Sequence, residues 1–223
     1  MSGGWLRPAV FGAMDGLVTN VSLIAGVGGG GGSQHAIVLT GLAGLAAGAF
    51  SMAAGEFVSV SSQNELIHAE VDKERHELKH NAVAEQAELA GMLRRRGVSA
   101  ATARQAAAEI SAHPEKALAV HALEELGVNP AELPSPVVAA GASLAAFAAG
   151  AVVPLLPYLL GFDAMGVALG LSAIAAIVGG GLVARLTNRP FWRGAIRQLI
   201  LGVFAAGLTY LIGLAVGGLA ASA

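Results

Sequence analysis

Two groups of residues in this chain have types and spacings that could do chemistry. The first is a run of acids: Glu70, Glu74, Glu77, Glu85 and Glu88. Set on one helix at about 100° per residue, they fall within an arc of about 80°. No Lys or Arg between 70 and 88 shares that arc, because Lys73, Arg75 and Lys79 point elsewhere. Like charges at i, i+3 and i+4 repel and weaken a helix, so an acidic stripe kept free of cations suits a ligand set for a cation. Carboxylates with imidazoles suit iron, manganese or zinc; oxygen-only sites also admit calcium and magnesium. His121, Glu124 and Glu125 follow on a later segment, with His121 and Glu124 on one face. Packed against the first helix, they would complete a cage. The plainer reading is a solvated, charge-laced helix. Glu65-x-x-His68 and Glu77-x-x-His80 match the spacing of di-iron bundles, but such a centre needs its pairs on facing helices, and here both lie on one.

The second group sits in apolar sequence. Asp15 lies in FGAMDGLVTNVSLIAG, and Met52 and Glu56 lie in GLAGLAAGAFSMAAGEFVSVSSQ. A charge at membrane depth is expensive and needs a partner, a water path or a function. No Lys or Arg occurs in either of these two runs, so each acid there stays protonated or takes a cation. Met52 and Glu56 are one helical turn apart, and a thioether beside a carboxylate can discriminate for transition metals. Core packing for Met52 and a helix cap for Asp15 are the structural alternatives.

The elements that must position these residues follow from composition. Of 223 residues, 55% are hydrophobic and 13% charged, where a soluble domain carries about a quarter charged. Most of the charge, 20 of the 28 charged residues, lies between Glu65 and Glu132. The chain therefore reads as an all-α membrane protein with one polar insertion. Residues 1–62 carry transmembrane helices 1 and 2, residues 63–132 form a helical metal-binding domain, and residues 133–223 carry helices 3 to 5. The spans are placed at about 8–28, 36–62, 136–158, 163–185 and 192–219, each near the 20 residues that cross a bilayer. Five spans put all thirteen Lys and Arg on one side, so the N-terminus and the insertion are expected in the cytoplasm and the C-terminus outside. Within the insertion we expect helices at about 63–96, 99–112 and 114–126, with Ser99 as an N-cap and Pro114 in a first turn. Gly41, Gly44 and Gly48 form a small-residue strip on the second span that permits close helix packing. Five helices are few to enclose a path, which favours a homodimer with the path at its two-fold interface. There is no cysteine, which excludes disulfides and thiolate metal sites.

Taken together, DGLVTN, the Met52–Glu56 span, the Glu-rich block, EELG at 124–127 and GAVVPLLPY at 150–158 resemble the vacuolar iron transporter family, in order and over essentially the whole chain. The resemblance implies a five-span homodimer with a three-helix cytoplasmic metal-binding domain. It implies movement of Fe²⁺, and often Mn²⁺, out of the cytosol by proton antiport, with Zn²⁺ or other divalent transition metals as further candidates. By the same resemblance Asp15, Met52 and Glu56 line the transport path, and Glu74, Glu77, Glu85, Glu88 and Glu124 bind metal, with His121 or Glu125 as neighbours. The His121 position departs from the Met or Glu expected there. No catalytic residues and no nucleic acid partner are implied, and a prokaryotic inner membrane is the expected location. The competing readings are a passive divalent-cation channel and a membrane-anchored iron oxidase or sensor.

Overall fold

Long uncharged runs that enter hydrocarbon must satisfy their own backbone hydrogen bonds, and only helices do so within one segment. The computed structural model, which describes residues 4–162 and 164–221, consists of helices and their connections, with no strand among those residues. In chain order it has α1 (Leu6–Gly29), α2 (Gln34–His80), α3 (Ala82–Arg95), α4 (Ala100–Ser111), α5 (Pro114–Glu125), a 3₁₀ turn at Pro130–Glu132, α6 (Pro136–Leu159), α7 (Met165–Leu186) and α8 (Phe191–Ala221). Among the described residues five helices are long and apolar enough to cross a bilayer: α1, the apolar part of α2, α6, α7 and α8. Asp163, in the connection between α6 and α7, lies outside the described residues. The chain divides into two compact units, one made of the residues up to Val58 with those from Pro136 onward, the other Ser59–Ser135.

In the apolar unit α1 is the central helix. It packs most extensively on α6, then on α8 and α7. The approach to α6 is set by glycines. A Cβ built on Gly16 would run into the Phe147 carbonyl, and one on Gly150 into the Ala13 carbonyl. Just beyond, the Asn20 side chain, fully buried, donates to the Ala151 carbonyl at 2.6 Å. The strip on α2 is filled by the chain's own side chains: Gly41 receives Leu155, Gly44 receives Leu23, and Gly48 receives Phe147. Ile24, Ile37, Leu155, Tyr158 and Ala168 form one buried cluster, and Ala49, Phe147 and Ala151 another. Helix α8 leans. Near its start it meets α7 at Gly180 and Gly194, and near its end it meets α1, where Gly213 faces Gly26 and Gly217 faces Gly30. Its most apolar 18 residues are only 6% buried by the rest of the chain, against 44% in α1.

The polar unit is built from the end of α2 with α3, α4 and α5. Val71, Leu118 and Ala122 form one cluster, and Leu89, Ala90 and Ala107 another. Ser99 caps α4 by accepting from the Thr102 N–H at 3.3 Å, and Pro114 opens α5, as the sequence predicts. The single helix expected over 63–96 is corrected: it breaks at Asn81, whose φ of −125° and ψ of 34° leave the helical region. Asparagine competes poorly for helix interiors because its side chain seeks local partners, and here its amide donates to the Glu77 carboxylate one turn back. The arc drawn through Glu70 to Glu88 on one continuous helix therefore stops at residue 80, and Glu85 and Glu88 belong to a separate helix.

If the α1–α6 approach carries the apolar unit, Gly16→Val and Gly150→Val should each cost on the order of 3 kcal/mol, the upper end for overpacking. Gly141→Ala, which meets nothing within 4 Å, should be neutral or slightly stabilising. Thermal unfolding of the detergent-solubilised chain, followed by size-exclusion chromatography, distinguishes the three.

Candidate metal centre

The break at Asn81 lets three helices converge on one side chain. His121, on α5, is fully buried. Its Nδ1 lies 2.9 Å from a Glu74 oxygen on α2, 3.2 Å from Glu125 on its own helix, and 3.7 Å from Glu85 on α3. The ligand atoms of Glu74, His121 and Glu125 all lie within 4.8 Å of one another. The ring's other nitrogen, Nε2, is buried without a hydrogen-bond partner. Beside the cluster is a pocket of about 50 Å³ lined by Glu70, Lys73, Glu74, Ala122, Glu125 and Leu126, enough for a small ion with a water or two.

The electrostatics are unfavourable without a cation. Burial pushes the Glu74 carboxyl above its ordinary value, and the neighbouring charges of Glu125, Glu85 and Glu88 push it further, against an opposing pull from His121. Burial likewise raises Glu85, with Glu88, Glu125 and Glu77 adding to it and His121 again opposing. The Nδ1 lone pair cannot face several carboxylate oxygens at contact distance. Either a proton on Nδ1 or a metal ion must lie between them. One proton satisfies one acceptor well; a divalent ion can take Nδ1 and two or three oxygens together, a donor set suited to iron, manganese or zinc.

The other expected ligands fall around this centre unevenly. Glu77 and Glu88 are close enough to act on Glu85 by charge, although Glu88 is exposed and Glu77 accepts from Asn81. Glu124 forms an ion pair with Arg96, at 2.9 Å, and that arginine was not singled out in the sequence. Glu70 is exposed, with Lys73 at 3.9 Å, so the stripe is not wholly free of cations. His121, the residue that departs from the expected pattern, is the one on which the others converge.

In the apolar unit Asp15 is half-buried on α1 and accepts from the Thr19 hydroxyl at 3.4 Å. Met52 packs at the edge of the Ala49–Phe147–Ala151 cluster. Glu56 is half-buried one turn further along α2. Among the described residues no hydrogen bond or ion pair joins Asp15 to Glu56. Asn20 is the polar residue that sequence reading passed over; its Oδ1 is buried without a partner. The signal was its position, five residues after Asp15 in an otherwise apolar run.

Comparison with known proteins shows what the chain is similar to. A family model described as the VIT family matches residues 6–214. A protein named vacuolar iron transporter from Acanthamoeba castellanii (strain ATCC 30010 / Neff) is 35% identical over 215 residues, covering 94% of this chain and 78% of its own. Vacuolar iron transporter homolog 1 of Oryza sativa subsp. japonica is 34% identical over 209 residues, covering 92% of this chain and 71% of its own. Vacuolar iron transporter homolog 2 of Arabidopsis thaliana is 34% identical over 220 residues, covering 94% and 85%.

Two outcomes test the centre. His121→Ala in the purified chain should weaken Mn²⁺ binding, read by isothermal titration calorimetry, by at least about tenfold, the cost of losing even an outer-shell partner. The raised carboxyls give a pH dependence of defined sign. Below the ordinary value of 4.5 the acids are neutral in both folded and unfolded chains. As pH rises through their raised values, ionisation costs the folded metal-free unit stability. Glu85→Gln should therefore slow amide exchange in α3 and α5 at pH 8 in the absence of metal, with the difference vanishing near pH 4.

Proposed function

The chain belongs to the vacuolar iron transporter (VIT) family, and from that premise we propose that it moves ferrous iron, manganese or both out of the cytosol in exchange for protons. Transport rather than enzymatic turnover is the activity that the named relatives carry. The observation that supports a transition-metal substrate is the buried His121 imidazole with its Nδ1 among the carboxylates of Glu74, Glu85 and Glu125. A site for magnesium or calcium would use oxygen alone.

In this reading the polar unit is cytoplasmic and collects metal. The arrangement of all thirteen Lys and Arg at one end of the five spans supports that orientation. Asp15, Met52 and Glu56 line the route through the apolar unit, and two copies of the chain form it together across a two-fold axis. Metal leaves when the carboxylates of Asp15 and Glu56 take protons from the outer side. It binds again when they release those protons inward. In a prokaryotic inner membrane, the location the sequence suggests, that direction is export.

The test is ferrous iron flux into proteoliposomes with an acidic or a neutral lumen. Flux should rise with the acidic lumen, and Asp15→Ala or Glu56→Ala should lower it by about tenfold or more, a loss of 1.4 kcal/mol or more at the limiting step. Flux indifferent to the gradient would replace antiport by a passive channel. Unimpaired flux in both variants would remove these residues from the path.

A further inference from the structure

The last turn of α2 carries a second pair of metal-ligating side chains, which the transport reading leaves unused. His76 and His80 are four residues apart, and His80 is the final residue of the helix. Side chains at that spacing sit one above the other on a helix surface. At about 100° per residue, His76 and His80 lie about 160° and 120° round α2 from Glu74. They are therefore on the far side of the helix from the His121 centre. Both are exposed, and neither can share an ion with Glu74.

The two rings are already arranged as a pair. They stack with centroids 4.0 Å apart and planes 26° from parallel. The His80 Nδ1 lies 2.8 Å from the His76 carbonyl oxygen. A carbonyl only accepts, so Nδ1 carries a hydrogen, and in the neutral ring Nε2 is the bare nitrogen. Metal-ligating histidines almost always donate their other ring N–H to a carbonyl or carboxylate in this way, which orients the ring and raises its basicity. Among the described residues neither ring nitrogen of His76 has a hydrogen-bond partner. Two imidazole nitrogens on one tetrahedral zinc ion are about 3.3 Å apart, so rings stacked at 4.0 Å need only a small rotation to share one.

The donor set selects the class of ion. Asp72, one turn before His76, is held by Arg75 at 2.6 Å, so the pair offers two imidazoles and leaves the remaining positions to water. Imidazole suits zinc, copper and nickel, whereas manganese favours carboxylate and water oxygen, and affinity for a nitrogen site rises from manganese towards copper. The end of a helix also carries partial negative charge, which favours a cation there. We propose that His76 and His80 form a second, solvent-open metal site that takes late first-row divalent ions, Zn²⁺, Ni²⁺ or Cu²⁺, in preference to Mn²⁺. An ion bridging the two rings clamps the last turn of α2, beside the joint at Asn81. The site differs from the His121 centre in donors as well as in place, since that centre surrounds one imidazole with carboxylates.

Amide hydrogen exchange of the intact, detergent-solubilised chain tests this, with Zn²⁺ and Mn²⁺ as the probes. At a Zn²⁺ concentration ten times the dissociation constant, exchange at residues 79–81 should slow about tenfold in the wild type. His76→Ala and His80→Ala, both exposed substitutions that leave the fold intact, should each abolish that slowing. Each should also weaken Zn²⁺ binding at this site by about tenfold or more. His121→Ala should leave the slowing in place. Absence of slowing in the wild type would overturn the site. Slowing that persists in both histidine variants, or that disappears in His121→Ala, would assign the effect to the His121 centre instead. Slowing by Mn²⁺ at the same concentration that is lost in His76→Ala and His80→Ala would overturn the class of ion.

Discussion

Helices already surrounded by hydrocarbon gain nothing by hiding apolar surface from one another, so their association depends on how closely their backbones can approach. In this protein that constraint is concentrated on α1. Gly16 and Gly150 let α1 and α6 touch carbonyl to Cα, and Asn20 bonds across just beyond that contact. Gly26 and Gly30 do the same for α8. Asp15 sits next to one of these contacts, on the helix that packs against α6, α7 and α8. Its carboxylate is thereby held by packing rather than by an opposite charge.

The polar unit obeys the opposite logic. Its hydrophobic clusters are small, and the residue at its centre is a histidine with charge neighbours that repel one another. Burial raises Glu74 and Glu85, so folding without a cation stores an electrostatic cost that a bound ion would relieve. The two units thus treat carboxylates differently. One isolates each acid among small residues, and the other crowds them around an imidazole.

Much of this could be read from the residues. The apolar runs marked five spans because length and the absence of charge suffice for that judgement. Ser99 and Pro114 marked helix starts through local chemistry alone. The acidic residues pointed to a cation site, but the geometry assigned to them was wrong beyond Asn81, since a helical projection assumes every intervening residue keeps helical dihedrals. One asparagine in a string of helix formers gives little warning. The ion pair of Glu124 with Arg96 could not be read either: Arg96 is distant in sequence and belongs to a run, Arg94–Arg96, in which no member stands out.

The break at Asn81 also affects how such a site can change over generations. On an unbroken helix, Glu74 and Glu85 would be locked in phase, and one inserted or deleted residue between them would swing the second acid by about 100°. With the joint, α3 has its own start and its own packing against α4, through Leu89, Ala90 and Ala107. A residue gained or lost at the joint can be absorbed there while Glu85 keeps its place, because its position is set by what α3 packs on rather than by counting from α2. The acids of the centre are therefore free to drift in sequence spacing while remaining neighbours in space.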